Sequence, residues 1–575
     1  MKLEYKLSIT EPWTHYVKVR LTGKRPKGQD TLDFFLPSWS PGSYLMREYA
    51  KGVRKFRAVS GNGEFLYFEK RDKGTWRVDW SQSELKAQGE EFTIEYEIYC
   101  NEISVRTSHV TEEHAFIHGP SVFMGIVGEV LDKPTLEIEF PPLWSKVTTG
   151  LKDISDKRER FIYEAKNYDE LIDTPVEIGC HETNGFRVDG KDHHLAYYEW
   201  PENLPGDLRV DTQKIVESVF KFWGELPYEM YVFMGHFMPG IYGGLEHLNS
   251  TALQFDPFAV KTEEGYRDFL GLVAHEFFHT WNVKRIRPIE LGPFDYRNEN
   301  YTRMHWLTEG MTSFVDDLFV FTAGLSTLEQ YLETLVKRIK RYEVTPGRKF
   351  DSLEDSSFDA WIKLYRPNEN SRNTTISYYL KGQLAFFCLN ILLVKEGSSL
   401  QNLCSLLWKR FKDNPEVGLE KSEFMAALRE CSSQEVVDEF ETFISHTTEL
   451  PLETLASDIG LKLKYSTTTK GDFGFDWKED GQRLFVQTVL LDKAAYKAGL
   501  NAGDELLAVN GFRLSTSMYK GWLKSLEVSD QPLHFLISRQ GKIQNVEIAF
   551  EKAVPELESI EITDRKKAEA ALKLC

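Results

Sequence analysis

Residues 271 to 283 read GLVAHEFFHTWNV, which sets His275 and His279 four residues apart with Glu276 between them. On a helix that spacing stacks both imidazoles on one face, about one turn apart, where they can share one metal ion. Glu276, rotated roughly 100° from His275, reaches a water on that metal but is poorly placed as a third ligand from the same turn. The geometry asks for a zinc-activated water, a carboxylate base and a ligand from elsewhere. That ligand should be a carboxylate or a third histidine on a neighbouring helix. The chain offers HWLTEGMTSFVDDLF, residues 305 to 319, in which Trp306, Phe314 and Leu318 recur at helical spacing with Glu309 among them. Glu309 is the expected third ligand, for one Zn²⁺ per chain.

These residues carry a resemblance. HEFFHTW followed by WLTEGMTSFVD resembles the HExxH and WLNEGFASYVE elements of the gluzincin aminopeptidases, and WNVKRIRP is similar to the glycyl aminopeptidase family within that clan. Ser313 stands at the fourth position after Glu309, where thermolysin-like enzymes carry the Asp that orients the first histidine. The partner of His275 is therefore left unassigned.

Upstream, PGIYGGLEHLNSTAL (residues 239 to 253) follows a strand-like EMYVFMGHF. Its Gly240, Gly243 and Gly244 allow close approach of another backbone, as a peptide laid against a sheet edge requires. YGGLEHLNS resembles the G-x-M-E-N strand of the aminopeptidase gluzincins. By that match Glu246 receives the substrate's free amino group, and Tyr242 stands close enough to narrow the first pocket. Downstream, Tyr379-Leu380-Lys381-Gly382 resembles the Y-x-K-G element whose Tyr steadies the oxyanion, with Tyr378 as its rival. Lys284, Arg285 and Arg287 read as cations complementing a helix C-terminus, with a grip on a peptide carboxylate as the second option.

A chain of 575 residues exceeds one core and suggests about three to four domains. A net charge of −18 with no basic block excludes nucleic acid and anionic membrane surfaces as partners. The six cysteines, Cys100, Cys180, Cys388, Cys404, Cys431 and Cys575, form no CxxC pair and read as reduced thiols. No signal peptide or long apolar run is visible, so a cytoplasmic protein without a membrane span is expected.

The resulting fold class is multidomain. Residues 1–180 form a β-sandwich, on the alternation in HYVKVRL, TLDFFLP and EFTIEYEIYC. Its LPSWSPGSYLMREYA segment (36 to 50) holds aromatics in a rigid loop that, by resemblance, borders the cleft. Residues 181–450 form a thermolysin-like α/β then all-helical catalytic region, with helices near 207–224, 327–342, 375–395, 398–412, 420–430 and 434–446. Residues 455–552 resemble a PDZ domain, a small β-barrel with helices, on A-G-L-x-A-G-D-x-L-x-x-V-N-G. In it Gly471, Phe473, Gly474 and Phe475 would hold a peptide's C-terminal carboxylate. Residues 553–575 read as a charged, helical or frayed tail.

The function expected is a zinc aminopeptidase acting on peptides that begin with Gly or Ala, with Glu276 as general base. A PDZ-bearing zinc endopeptidase and a non-catalytic peptide-binding scaffold are the alternatives.

Overall fold

The computed structural model describes residues 1–575 apart from 83–89, 157–159, 467–470, 518–530, 550, 553–554 and 575. Cys575 thus lies outside the described residues, and the other five cysteines are unpaired.

The amino-terminal strands pair as their alternation demands. Leu3, Tyr5 and Leu7 point inward and lie opposite Gly23, Leu21 and Val19 in a seven-stranded sheet. A four-stranded sheet covers it, Phe34 meeting Phe92 edge-on at 5.5 Å between ring centres. A third sheet, built from Lys146–Thr149, Val176–Gly179, His114–Ile117 and His109–Val110, carries this domain onto the next. Its short strands gave no separate signal in the sequence.

The catalytic half begins with a five-stranded sheet. Lys191–Tyr198 and Met230–Phe237 run parallel, which needs a crossover, and the helix Leu208–Trp223 supplies it. Asp207 caps that helix by accepting from Val210 N at 3.0 Å, and Gly224 at φ 80° ends it. The outermost strand, Gly243–Glu246, is antiparallel to Ser250–Phe255 and leaves one edge unpaired within the sheet. Helices follow at Glu263–Phe278, Thr312–Thr322, Leu328–Glu343, Tyr378–Lys395, Leu400–Asp413, Lys421–Cys431 and Gln434–Ser445. Residues Ser371–Lys395 are long and apolar enough to cross a membrane, yet 89% of that window is buried inside the protein, as a central core helix is.

The PDZ-like strands Phe475–Asp480, Arg483–Val489, Glu505–Val509, Leu533–Arg539 and Lys542–Ile548 enclose a separate core around Phe535 and Ile537. This unit is set into the catalytic half. Leu461–Tyr465 pairs with Leu557–Ile562, and Ser466 and Glu556 bond to each other where the chain leaves and returns (Ser466 N to Glu556 O, 2.7 Å). The segment read as a charged, helical or frayed tail is instead integral to the core. Its helix Arg565–Leu572 buries Ala568, Ala571 and Leu572, and Asn390 Nδ2 donates to Ala571 O at 2.9 Å. Small apolar residues spaced three and four apart outweigh its charged face.

Candidate active site

The HExxH helix starts at a capped turn, Thr262 accepting from Gly265 N at 2.9 Å, and carries His275 and Glu276 in its last turn. His279 lies one residue past its end and remains bonded to it through His275 O at 3.3 Å. Both Nε2 atoms face one oxygen of Glu309, at 3.5 Å from His275 and 3.3 Å from His279. Their Nδ1 atoms are taken: His275 by Asp316 at 3.1 Å, His279 by the carbonyl of Asn282 at 2.6 Å. With Nδ1 as donor on each ring, two Nε2 lone pairs and a carboxylate converge on one point. That is the donor set of a three-ligand metal site.

Glu309 sits in a π-helical turn, Trp306–Met311, which then tightens into an α-helix. Asn282 Nδ2 donates to Leu307 O (2.9 Å), Thr308 O (3.1 Å) and Thr312 Oγ1 (3.0 Å), tying the exit of the histidine helix to this turn. Gly310 packs on Gly382 so closely that an added Cβ would lie 2.8 Å from the facing Cα. Asp316, seven residues beyond Glu309, fills the role that the sequence left unassigned at Ser313. Arg338 holds its neighbour Asp317 at 2.5 Å and lies 3.8 Å from Asp316.

The electrostatics fit a cation here. Burial works against a charged His275, but Asp316 and Glu309 leave its value well above the ordinary imidazole's. His279 is raised against burial by Glu309 and Glu246. Burial would push the Glu309 carboxyl up, and the two histidines instead hold it well below its usual range. The cluster thus draws positive charge to the point where the three ligating atoms meet.

Burial raises Glu276 to about 7, its two histidine neighbours opposing and Glu246 and Glu309 adding to the rise. Its Oε2 is buried without a partner, and its Oε1 lies against Gly244, where a Cβ would come within 2.0 Å. Any side chain there would displace the Glu276 carboxylate. Glu246 is 4% exposed and its carboxylate has no hydrogen bond or ion pair among the described residues, although it lies within 4.8 Å of ligating atoms of Glu276 and His279. Gly42, at φ 80°, closes over it, since a Cβ would stand 2.6 Å from both Glu246 oxygens. The loop around Gly42 is held by Trp39, whose Nε1 donates to Asp295 O and Asn298 O at 2.9 Å.

A cavity of about 780 Å³ runs past these groups and is also lined by Gly243, Tyr242 and Tyr379. Tyr379 stacks 6.4 Å from the His275 ring, whereas Tyr378 is fully buried against His305. Tyr242 packs on Phe255 but is 70% exposed, so it stands at the rim and does not narrow the depth of the cleft. Arg106 enters from the amino-terminal domain and donates to Gly244 O at 3.2 Å, a contribution no local pattern announces. The basic cluster lies elsewhere: Lys284 pairs with Asp173 at 2.7 Å, Arg285 bonds Pro227 O at 2.7 Å and Thr280 O at 2.8 Å, and Arg287 bonds Glu416 O at 3.2 Å. Those three residues are structural.

In the C-terminal unit, Phe473 O accepts from Ala495 N at 2.9 Å and Gly474 O from Leu490 N at 2.7 Å; the stretch expected as a loop is instead a strand, Gly471–Asp472, a two-residue link and the start of the strand Phe475–Asp480. Gly474 is at φ 70°.

Residues 4–180 match the M61 peptidase N-terminal domain, 268–385 the M61 glycyl aminopeptidase and 462–520 a PDZ domain. The fold matches the crystal structure of an aminopeptidase N family protein from Idiomarina loihiensis with a TM-score of 0.92 and 27% identity, over 99% of this chain and 100% of that one. It shares its fold with an M1 zinc metallopeptidase from Deinococcus radiodurans (TM-score 0.51, 12% identity, 79% of this chain and 95% of that one). Human PDZ domain-containing protein 7 is 30% identical over 99 residues, and the chain spans 10% of its length. With the HExxH helix, Glu309 and Tyr379 inside the second matched segment and the Gly42 loop inside the first, the chain belongs to the M61 glycyl aminopeptidase family of metallopeptidases.

Proposed function

We propose that the protein is a zinc-dependent aminopeptidase that removes a small residue, Gly or Ala, from peptides with a free amino terminus. The observation that carries this reading is Glu246, a largely buried residue whose carboxylate lines the cleft without a protein partner, within 4.8 Å of Glu276 and His279 and beside Gly42. An unpaired buried charge is costly, and a substrate ammonium supplies its partner. An amine held there leaves room for one residue before the scissile carbonyl. The family's own name favours Gly and Ala.

In this reading one zinc per chain is held by His275, His279 and Glu309, and when bound it supplies Lewis acidity to the carbonyl and acidifies water. Glu276 removes the proton from the attacking water and passes it to the departing amine. Tyr379 donates a hydrogen bond to the oxygen that gains charge. Gly243 and Gly244 align the peptide backbone along the sheet edge. The stretch from Gly471 to Phe475 is assigned to the carboxylate end of a peptide. The five unpaired cysteines favour a reducing, cytoplasmic setting.

The test pairs Gly- and Ala-initiated peptides with their N-acetyl forms. The free peptides should be cleaved, the acetylated ones refused, and Glu246→Ala should lose amino-terminal cleavage with zinc retained. Efficient internal cleavage of acetylated peptides would replace this reading with an endopeptidase.

A further inference from the structure

Six residues before Tyr379, the chain is gripped by the PDZ domain. Asn373 is 6% exposed, and its side chain donates from Nδ2 to Val489 O at 2.8 Å and accepts on Oδ1 from Leu491 N at 2.8 Å. One amide group thus completes two main-chain bonds of a strand end 116 and 118 residues away. Beside it, Arg372 pairs with Asp476 on the neighbouring PDZ strand. On the catalytic side the same segment is held by Asp351, which accepts from Thr375 Oγ1 at 2.6 Å and Ile376 N at 3.3 Å. Ser377 then caps the helix Tyr378–Lys395, with Tyr379 in its first turn.

The first turn of a helix has no intrahelical acceptors for its own N–H groups, so the incoming chain fixes where its side chains stand. Here that chain is anchored from two sides, by Asp351 and Ser356 of the catalytic half and by the PDZ domain. We infer that Asn373 is a positioning residue for Tyr379, and that the PDZ domain braces the phenol through it. This rests on the reading of Tyr379 as the donor to the developing oxyanion. An asparagine suits the task because it offers one donor and one acceptor in the geometry of a peptide group. Aspartate keeps the acceptor for Leu491 N and loses the donor to Val489 O, while alanine leaves both main-chain groups unpaired.

The test is steady-state kinetics on the full zinc-loaded chain with Asn373→Ala, Asn373→Asp, Tyr379→Phe and the Asn373→Ala/Tyr379→Phe double variant. Because small misplacements at a reacting centre reduce turnover up to about 100-fold, Asn373→Ala is expected to lower kcat about tenfold, with KM and zinc content unchanged and Asn373→Asp in between. In the Tyr379→Phe background the same substitution should have no further effect. A wild-type kcat in Asn373→Ala beside a crippled Tyr379→Phe would overturn the brace alone. An undiminished Tyr379→Phe would remove the oxyanion assignment and the brace with it. Equal losses from Asn373→Ala in both backgrounds would show that Asn373 acts on something other than the phenol, which also overturns the inference.

Discussion

The cleft cluster of His275, His279 and Glu309 and a second cluster, His114, Glu177 and His236, have the same composition, and in each the ligating atoms lie within 4.8 Å of one another. Their builds differ. In the cleft, two rings face a single carboxylate oxygen at 3.3 and 3.5 Å, beside an open cavity. In the second cluster each ring bonds its own oxygen of Glu177, at 2.8 Å from His114 and 3.0 Å from His236, with every side chain about 1% exposed. His114 spends its other nitrogen on His109 at 3.1 Å. Donors that converge on one point make a metal site, and donors that close on one another make a polar joint. This joint spans two domains, since His114 and Glu177 belong to the third amino-terminal sheet and His236 to the catalytic sheet.

The largest effect should come from Glu276→Gln, which is expected to lower turnover about 10²- to 10⁴-fold while metal analysis still finds one zinc per chain. Two zincs per chain, or a variant that works normally, would break the contrast at its catalytic end. At the joint, His236→Ala should leave zinc content untouched and cost about 3–5 kcal/mol of stability, read from denaturant unfolding, because it strips a partner from a buried charge. Loss of zinc in that variant would make the joint a metal centre after all. The joint also has a pH signature. Burial alone would raise Glu177, but His114 and His236 hold it down to about 2. The unfolded chain therefore binds this proton more readily than the folded one, so the stabilisation is present above about pH 5 and is lost as pH falls toward about 2. His236→Ala should flatten that part of the stability profile, and an unchanged profile would sink the account. Smallest is Asp316→Asn, which removes the carboxylate on His275 Nδ1 and should weaken zinc binding about 10- to 100-fold in a chelator competition, with the fold intact.

The juxtaposition of His275, His279 and Glu309 was legible because each motif is local and helical spacing fixes which side chains share a face. Tyr379 was preferred to Tyr378 only on the Y-x-K-G resemblance, since adjacent positions on a helix start look alike; of the two, Tyr379 lines the cavity. Asp316 left no signal because the family pattern puts the orienting carboxylate four residues past Glu309, whereas here the π turn and about one and a half further α-helical turns bring the seventh residue to the His275 ring. Arg106 and Asn373 left no trace, as each acts on a chain segment more than a hundred residues distant. The amino-terminal strands were readable from alternation. The third sheet was not, with strands of two to four residues giving no period to detect. The carboxy-terminal helix was within the reading, but its docking into the core was not, because its charged face outweighs three buried apolar residues in composition.

The meeting of Ser466 and Glu556 makes the PDZ unit a detour in the thread of the catalytic domain. During translation the hydrolytic core therefore stays unfinished until the ribosome has made the whole detour and the strand and helix beyond it. Simple truncation at the start of the PDZ unit would amputate those core pieces too. Splicing a short turn from Ser466 to Glu556 would keep those core pieces while taking from Asn373 the Val489 and Leu491 main-chain groups it bonds.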